Sequence, residues 1–120
     1  MLTGPYTIPL RLSRRALAMA AADLLESSDW IQGIVWHPGR EAIDILGALA
    51  FAGGATKAAM AEVRNPVLAV PPVNQFTVEE TRELAEALVN EDLDVWNDAR
   101  WRTKDEVVAL LRRVAVYGSA

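Results

Sequence analysis

Cysteine is absent from the 120 residues, and histidine occurs once, at His37. The first absence excludes disulfides and thiolate metal sites. With one imidazole available, a zinc site would have to be mostly carboxylate, which zinc rarely accepts. Neither a metal nor a cofactor is therefore expected. Long hydrophobic runs are missing as well: none approaches the ~20 residues of a membrane span, so no membrane partner is expected. Positive charge is not in excess. A net charge of −4 provides no global field to draw in nucleic acid or an anionic membrane.

What the chain has is apolar substance. At 52% hydrophobic residues it can form one domain, and a chain of this length buries roughly two-thirds of its unfolded surface. Ser13-Arg14-Arg15-Ala16-Leu17 has the outline of a twin-arginine export signal, but Asp23 and Glu26 interrupt the apolar stretch behind it. The reading adopted is a cytoplasmic protein whose first helix starts with basic residues.

Residues 1–12, with Gly4, Pro5 and Pro9, predict an extended arm that frays or lies on the surface. Residues 13–117 predict a single helical domain. A first helix is expected over Ser13 to Ser27, with Leu17, Ala20, Ala21 and Leu24 as its inner stripe. Its charges oppose the helix dipole, since Arg14 and Arg15 open it and Asp23 and Glu26 close it. Trp30 to Trp36 reads as a strand. His37-Pro38-Gly39-Arg40 has the residues of a type II turn, and Glu41 to Ile43 returns as a second strand. Asp44 predicts an N-cap, Ile45 to Ala52 a buried central helix, and Gly53-Gly54 its stop. Gly47 inside that helix suggests a close approach by a neighbouring helix. Thr56 caps a further short helix.

Three prolines between Asn65 and Phe76 predict an extended connector across the core. Capping boxes at Thr77/Glu80 and Thr103/Glu106 start the last two long helices. The first has Thr81, Leu84, Ala85 and Leu88 inside, the second Val107, Leu110, Leu111 and Val114. The fold expected is mostly α, a compact domain of roughly four to five helices, with a small β-hairpin between the first two.

Chemistry concentrates just before the last helix. Trp96, Asn97, Asp98, Arg100, Trp101 and Arg102 stand beside orphan helix amides that favour anions, so they are the candidate ligand-binding residues. The competing reading has Asn97 and Asp98 making turn and capping bonds while the tryptophans plug the core. His37 with Asp44 or Glu41 would make a general base, but no nucleophile stands in a recognisable context and no catalytic residue is assigned. Asp92 to Thr103 begins like a calcium loop yet has Trp96 at its fifth place and Thr103 at its twelfth, which rejects it. Ile45 to Arg64 has a helix-turn-helix outline with only Lys57 and Arg64 as cations, too few for DNA.

Trp30-Ile31-Gln32-Gly33, Asp44-Ile45-Leu46-Gly47-Ala48-Leu49, Trp96-Asn97-Asp98 and Arg102-Thr103 with Glu106-Val107 resemble a family of small uncharacterised proteins of actinobacteria and their phages. The resemblance spans roughly residues 17–115. Many members carry cysteine at the place of Asp44 and glycine at that of Trp101, so thiol chemistry is not implied for this chain. The resemblance implies a fold and a bacterial setting but no activity. The function expected is therefore a non-catalytic interaction or regulatory module, acting on a protein partner or on a second copy as a homodimer. Val67, Leu68, Val70, Val73 and Phe76 are its expected interface, because alternate side chains of an extended strand cannot all face inward. The alternative is a small-molecule binder or enzyme using the loop before the last helix, and a nucleic-acid-binding regulator stands third.

Overall fold

A computed structural model describes residues 10–117. The chain folds as a mostly helical globule, in which α1 (Arg14–Glu26), α2 (Ile45–Ala52), α4 (Pro72–Val89) and α6 (Lys104–Tyr117) are the main elements. Strands β1 (Asp29–Trp30), β2 (Trp36–His37) and β3 (Ala42–Ile43) separate α1 from α2. Two short helices, α3 (Lys57–Glu62) and α5 (Leu93–Asn97), and a 3-10 helix over Pro66–Ala69 complete the described residues. None of the described helices is long and apolar enough to cross a membrane. The arm expected over residues 1–12 lies outside the described residues as far as residue 9. From Leu10 the chain is pinned to α4, because Asn74 Nδ2 donates to the Leu10 carbonyl (2.8 Å) and Leu12 N donates to Asn74 Oδ1 (2.9 Å).

The core is made where α1 meets α6 and α2. Leu17, Ala18, Ala21, Ala22 and Leu25 are the buried face of α1, one position on from the expected stripe. Its alanines let α6 approach closely with Val107, Leu110, Leu111 and Val114, all buried. Each of the larger side chains contributes roughly 1.5–3 kcal/mol by leaving water. The unfavourable acids at the end of α1 also find a partner there. Arg112 of α6 pairs with both Asp23 and Glu26, which offsets their repulsion from the carbonyl end of the helix.

Asp44 caps α2 as expected, its Oδ1 accepting from Gly47 N at 2.7 Å. Thr56 Oγ1 caps α3 by accepting from Ala59 N (3.1 Å). The neighbour at Gly47 is not a helix. A Cβ there would collide with the Val35 carbonyl, so the glycine admits the backbone just before β2. That carbonyl is held in place by Asp44 N, which donates to it at 2.9 Å.

The hairpin exists, with β2 antiparallel to β3, but β1 adds a parallel partner on the other edge, in the order β1-β3-β2. Its turn is not type II. Arg40 N donates to His37 O (3.2 Å), yet Gly39 lacks the positive φ that type II requires. Glu41 takes it instead, at 52°, immediately before β3.

Residues 65–76 are a helical elbow, not an extended connector. Pro66 opens the 3-10 helix and Pro72 opens α4, both at first-turn positions where a missing N–H is harmless. Thr77 therefore sits inside α4 and caps nothing; its carbonyl accepts from Thr81 Oγ1 at 2.7 Å. Within the elbow Val70 is buried, Val67 and Val73 are half-buried, and Leu68 and Phe76 stand exposed.

Candidate functional site

Helix α5 and the loop to α6 carry the candidate residues, and the strand region is built onto them. Asn97 is fully buried at the end of α5. Its Oδ1 accepts from Trp30 Nε1 (2.8 Å) and from Ile45 N (3.2 Å), the first amide of α2. Its Nδ2 donates to Ile31 O (3.3 Å) and to Asp98 Oδ1 (3.0 Å). A primary amide has two donors and two acceptor lone pairs, and all are used. Asp98 Oδ1 also accepts from Gly33 N at 2.9 Å, where Gly33 turns with φ 87°. Gln32 Nε2 donates to the carbonyls of Asn97 (2.9 Å) and Ala99 (2.8 Å). The Trp30 to Gly33 segment and the Trp96 to Asp98 segment are thus two halves of one hydrogen-bonded joint. The role of Trp30, Gln32 and Gly33 in it was not visible from their own neighbourhood, where they read as one strand.

The helix start behind this joint is occupied. Thr103 N donates to Glu106 Oε1 (3.0 Å) and Glu106 N donates to Thr103 Oγ1 (3.3 Å), a reciprocal capping box. Bonds from the Thr103 backbone, then its hydroxyl and Arg102, hold the Glu106 carboxyl below its ordinary range. The carboxylate that the orphan amides favour is therefore the chain's own, and an external anion would have to displace it. Arg102 is likewise engaged. Its guanidinium lies 3.9 Å over the Trp96 ring, its Nε donates to Trp96 O (2.9 Å), and its Nη1 reaches Glu106 (3.2 Å).

Of the six candidates, Trp96 and Asn97 are buried, Asp98 and Arg102 are tied by hydrogen bonds, and Arg100 extends into solvent without a bond to any described residue. Trp101 alone offers a large apolar surface, 75% exposed. It edges a groove of about 480 Å³ with Glu91, Asp94, Val95, Asp98, Ala99 and Arg102. Asp98, Trp101 and Arg102 line that groove, and Asn97, bonded to Asp98, is buried behind it. The site is an apolar ridge with an acidic border.

Other chemistry is not assembled. His37 Nδ1 is buried without a partner among the described residues, Asp44 is spent on its cap, and Glu41 is paired with Lys57. Among the described residues no three side chains of His, Asp or Glu converge as metal ligands do. Lys57, the first cation of the helix-turn-helix outline, is held by Glu41 and not presented to a phosphate backbone. Asp44 does stand out electrostatically. Burial, with Asp98 and Asp94 nearby, pushes its carboxyl up from 3.8 to about 7 against the pull of the Gly47 and Leu46 amides.

The fold and its polar joint therefore define a small helical domain whose conspicuous polar residues mostly bond to one another. The chain belongs to DUF6197, a family of unknown function, whose model matches residues 11–117. No curated protein and no solved structure matches it.

Proposed function

We propose that this protein is a non-catalytic interaction or regulatory module of the actinobacterial cytoplasm, engaging a protein partner through the ridge at Trp101. The observation that carries the reading is a tryptophan 75% exposed on a loop held by hydrogen bonds on both sides. Asn97, Asp98, Arg102 and the Thr103 cap fix the loop on either side. A rigid aromatic side chain loses little entropy on binding, which is why tryptophans dominate binding hot spots. Glu91, Asp94 and Asp98 border the ridge and favour a partner with a basic surface around an apolar pocket. A reaction finds little support in the same residues, because the polar groups of the joint are consumed within the fold.

Trp101→Ala tests this. Its unfolding free energy should stay within about 0.5 kcal/mol of wild type, as for other exposed positions. Partners captured from an extract of the native host should bind it at least about thirtyfold more weakly, the loss of a hot-spot residue. Phe76→Ser, on the elbow, should capture them as wild type does. Undiminished capture by Trp101→Ala would refute the reading.

A second reading, self-association through the elbow, is favoured by Leu68 at 62% and Phe76 at 74% exposure. It is compatible with the first because it uses other residues.

A further inference from the structure

A second concavity shares Asp94 with the Trp101 groove but is differently made. It has a volume of about 400 Å³ and lies among α2, the 3-10 helix, α4 and the start of α5. Leu46, Leu49, Ala50, Val67 and Val78 give it an apolar floor. Its border carries four carboxylates, Glu79, Glu86, Asp92 and Asp94, against one guanidinium, Arg82.

The charges divide into a closed set and an open one. Arg82 Nη2 binds Glu79 (2.7 Å) and Nη1 binds Glu86 (2.9 Å), while the second oxygen of Glu86 accepts from Leu93 N (2.8 Å). That wall is therefore preformed, and its arginine is already neutralised. Neighbouring Glu79 and Glu86 hold the Arg82 proton more firmly than usual. Asp92 and Asp94 are exposed, and their side chains bond to no other described residue. They are the border's unspent charge.

We propose that this groove binds a small organic cation, an amine carried on a short apolar body. The carbon chain would cover the aliphatic floor, while the ammonium stayed at the wet border between Asp92 and Asp94. That division keeps the charge hydrated and covers the half-buried Leu46 and Val67, the floor residues that still meet water. The volume falls within the range of small-ligand sites, roughly 300–1,000 Å³. An anion of the same shape meets three uncompensated negative charges, four carboxylates less one guanidinium. The site does not depend on the Trp101 reading.

The test is an amide-resonance titration of the full chain with hexylammonium, and in parallel with hexanoate, its carboxylate counterpart. Hexylammonium should produce saturable shifts at Leu49, Val67, Val78 and Asp94, and hexanoate none. The double variant Asp92→Asn with Asp94→Asn should bind hexylammonium about tenfold more weakly at low salt, as expected for two surface ion pairs. Val67→Phe, which fills the floor and leaves the border charges, should also lose binding. Trp101→Ala should bind as wild type. Equal response to both probes, no saturable shift, or an unchanged affinity in the double variant would overturn the proposal.

Discussion

Asp44 combines two demands that conflict. As an N-cap it accepts from the Gly47 amide, a role an ionised carboxylate fills well, yet it is only 3% exposed and has Asp94 and Asp98 for neighbours. Burial wins, and the carboxyl moves up to about 7. Below pH ~4 it is protonated in both folded and unfolded chains. Between there and about 7 the unfolded chain gives up the proton while the folded chain keeps it, so this group's contribution to stability falls as pH rises and is fully lost above 7. At about 1.4 kcal/mol per unit of displacement, the effect is a few kcal/mol. Asp44→Asn keeps an oxygen for the cap and cannot ionise. Denaturant melts from pH 4 to 8 should show a shallower pH slope for the variant, and greater stability than wild type at pH 8. Identical slopes would mean that Asp44 ionises normally. Gly47, two positions into the same helix, makes a steric counterpart. Alanine would gain about 1 kcal/mol in helix propensity. Its Cβ would strike the Val35 carbonyl, however, and overpacking of this kind costs roughly 1–3 kcal/mol. Gly47→Ala should therefore be less stable than wild type in the same melts, and a more stable variant would show that the strand backbone yields freely.

Among elements, two segments of the same sequence spacing behave oppositely, and the contrast is measurable. Thr103 and Glu106 form a capping box, whereas Thr77 and Glu80 lie within α4, which begins at Pro72. Thr103→Ala should cost about 1 kcal/mol, the usual loss of a threonine cap. Thr77→Ala should cost nothing, since alanine is the better helix former at an interior position. Equal effects in thermal or denaturant melts would place the start of α4 at Thr77 after all. The same pair explains what was legible in the sequence. Asp44, Thr56 and Thr103 were readable because a cap is a local bond, complete within three residues. The elbow was not legible because proline breaks a helix interior but suits its first turn, and the sequence alone does not say which applies. Helix α5 is only five residues long, too short for any periodicity to show. At the candidate site the residue names were legible and their employment was not. Asn97 finds Trp30 and Ile31 across separations of 67 and 66 residues, and Asp98 finds Gly33 across 65. No local pattern encodes such a pairing, so the hydrogen-bonded joint these residues make, with Trp101 outside it, was not legible in the sequence.

For the whole molecule the question is which surface tolerates a second copy. Each chain carries a net charge of −4, so two copies repel one another wherever acidic faces meet. The Trp101 ridge, bordered by Glu91, Asp94 and Asp98, is such a face and is poorly suited to pairing with itself. The elbow differs. Residues 65–78 contain no charged side chain, and Leu68 and Phe76 stand out from them at 62% and 74% exposure. Exposed apolar side chains on a stretch without charge can meet their symmetry mates without burying a charge of that stretch, which favours a two-fold contact there. The segment is helical, so strand alternation does not decide which of its side chains point outward. Two exposed residues on a charge-free stretch replace it. Light scattering on the pure protein at high micromolar concentration should therefore give the mass of a dimer. Leu68→Glu with Phe76→Glu should return it to a monomer without loss of fold. Val70 is unsuitable for such a control, because at 2% exposure a charge there would disrupt the core and not the interface. A monomeric mass for the wild type would defeat self-association and leave the elbow to a different protein.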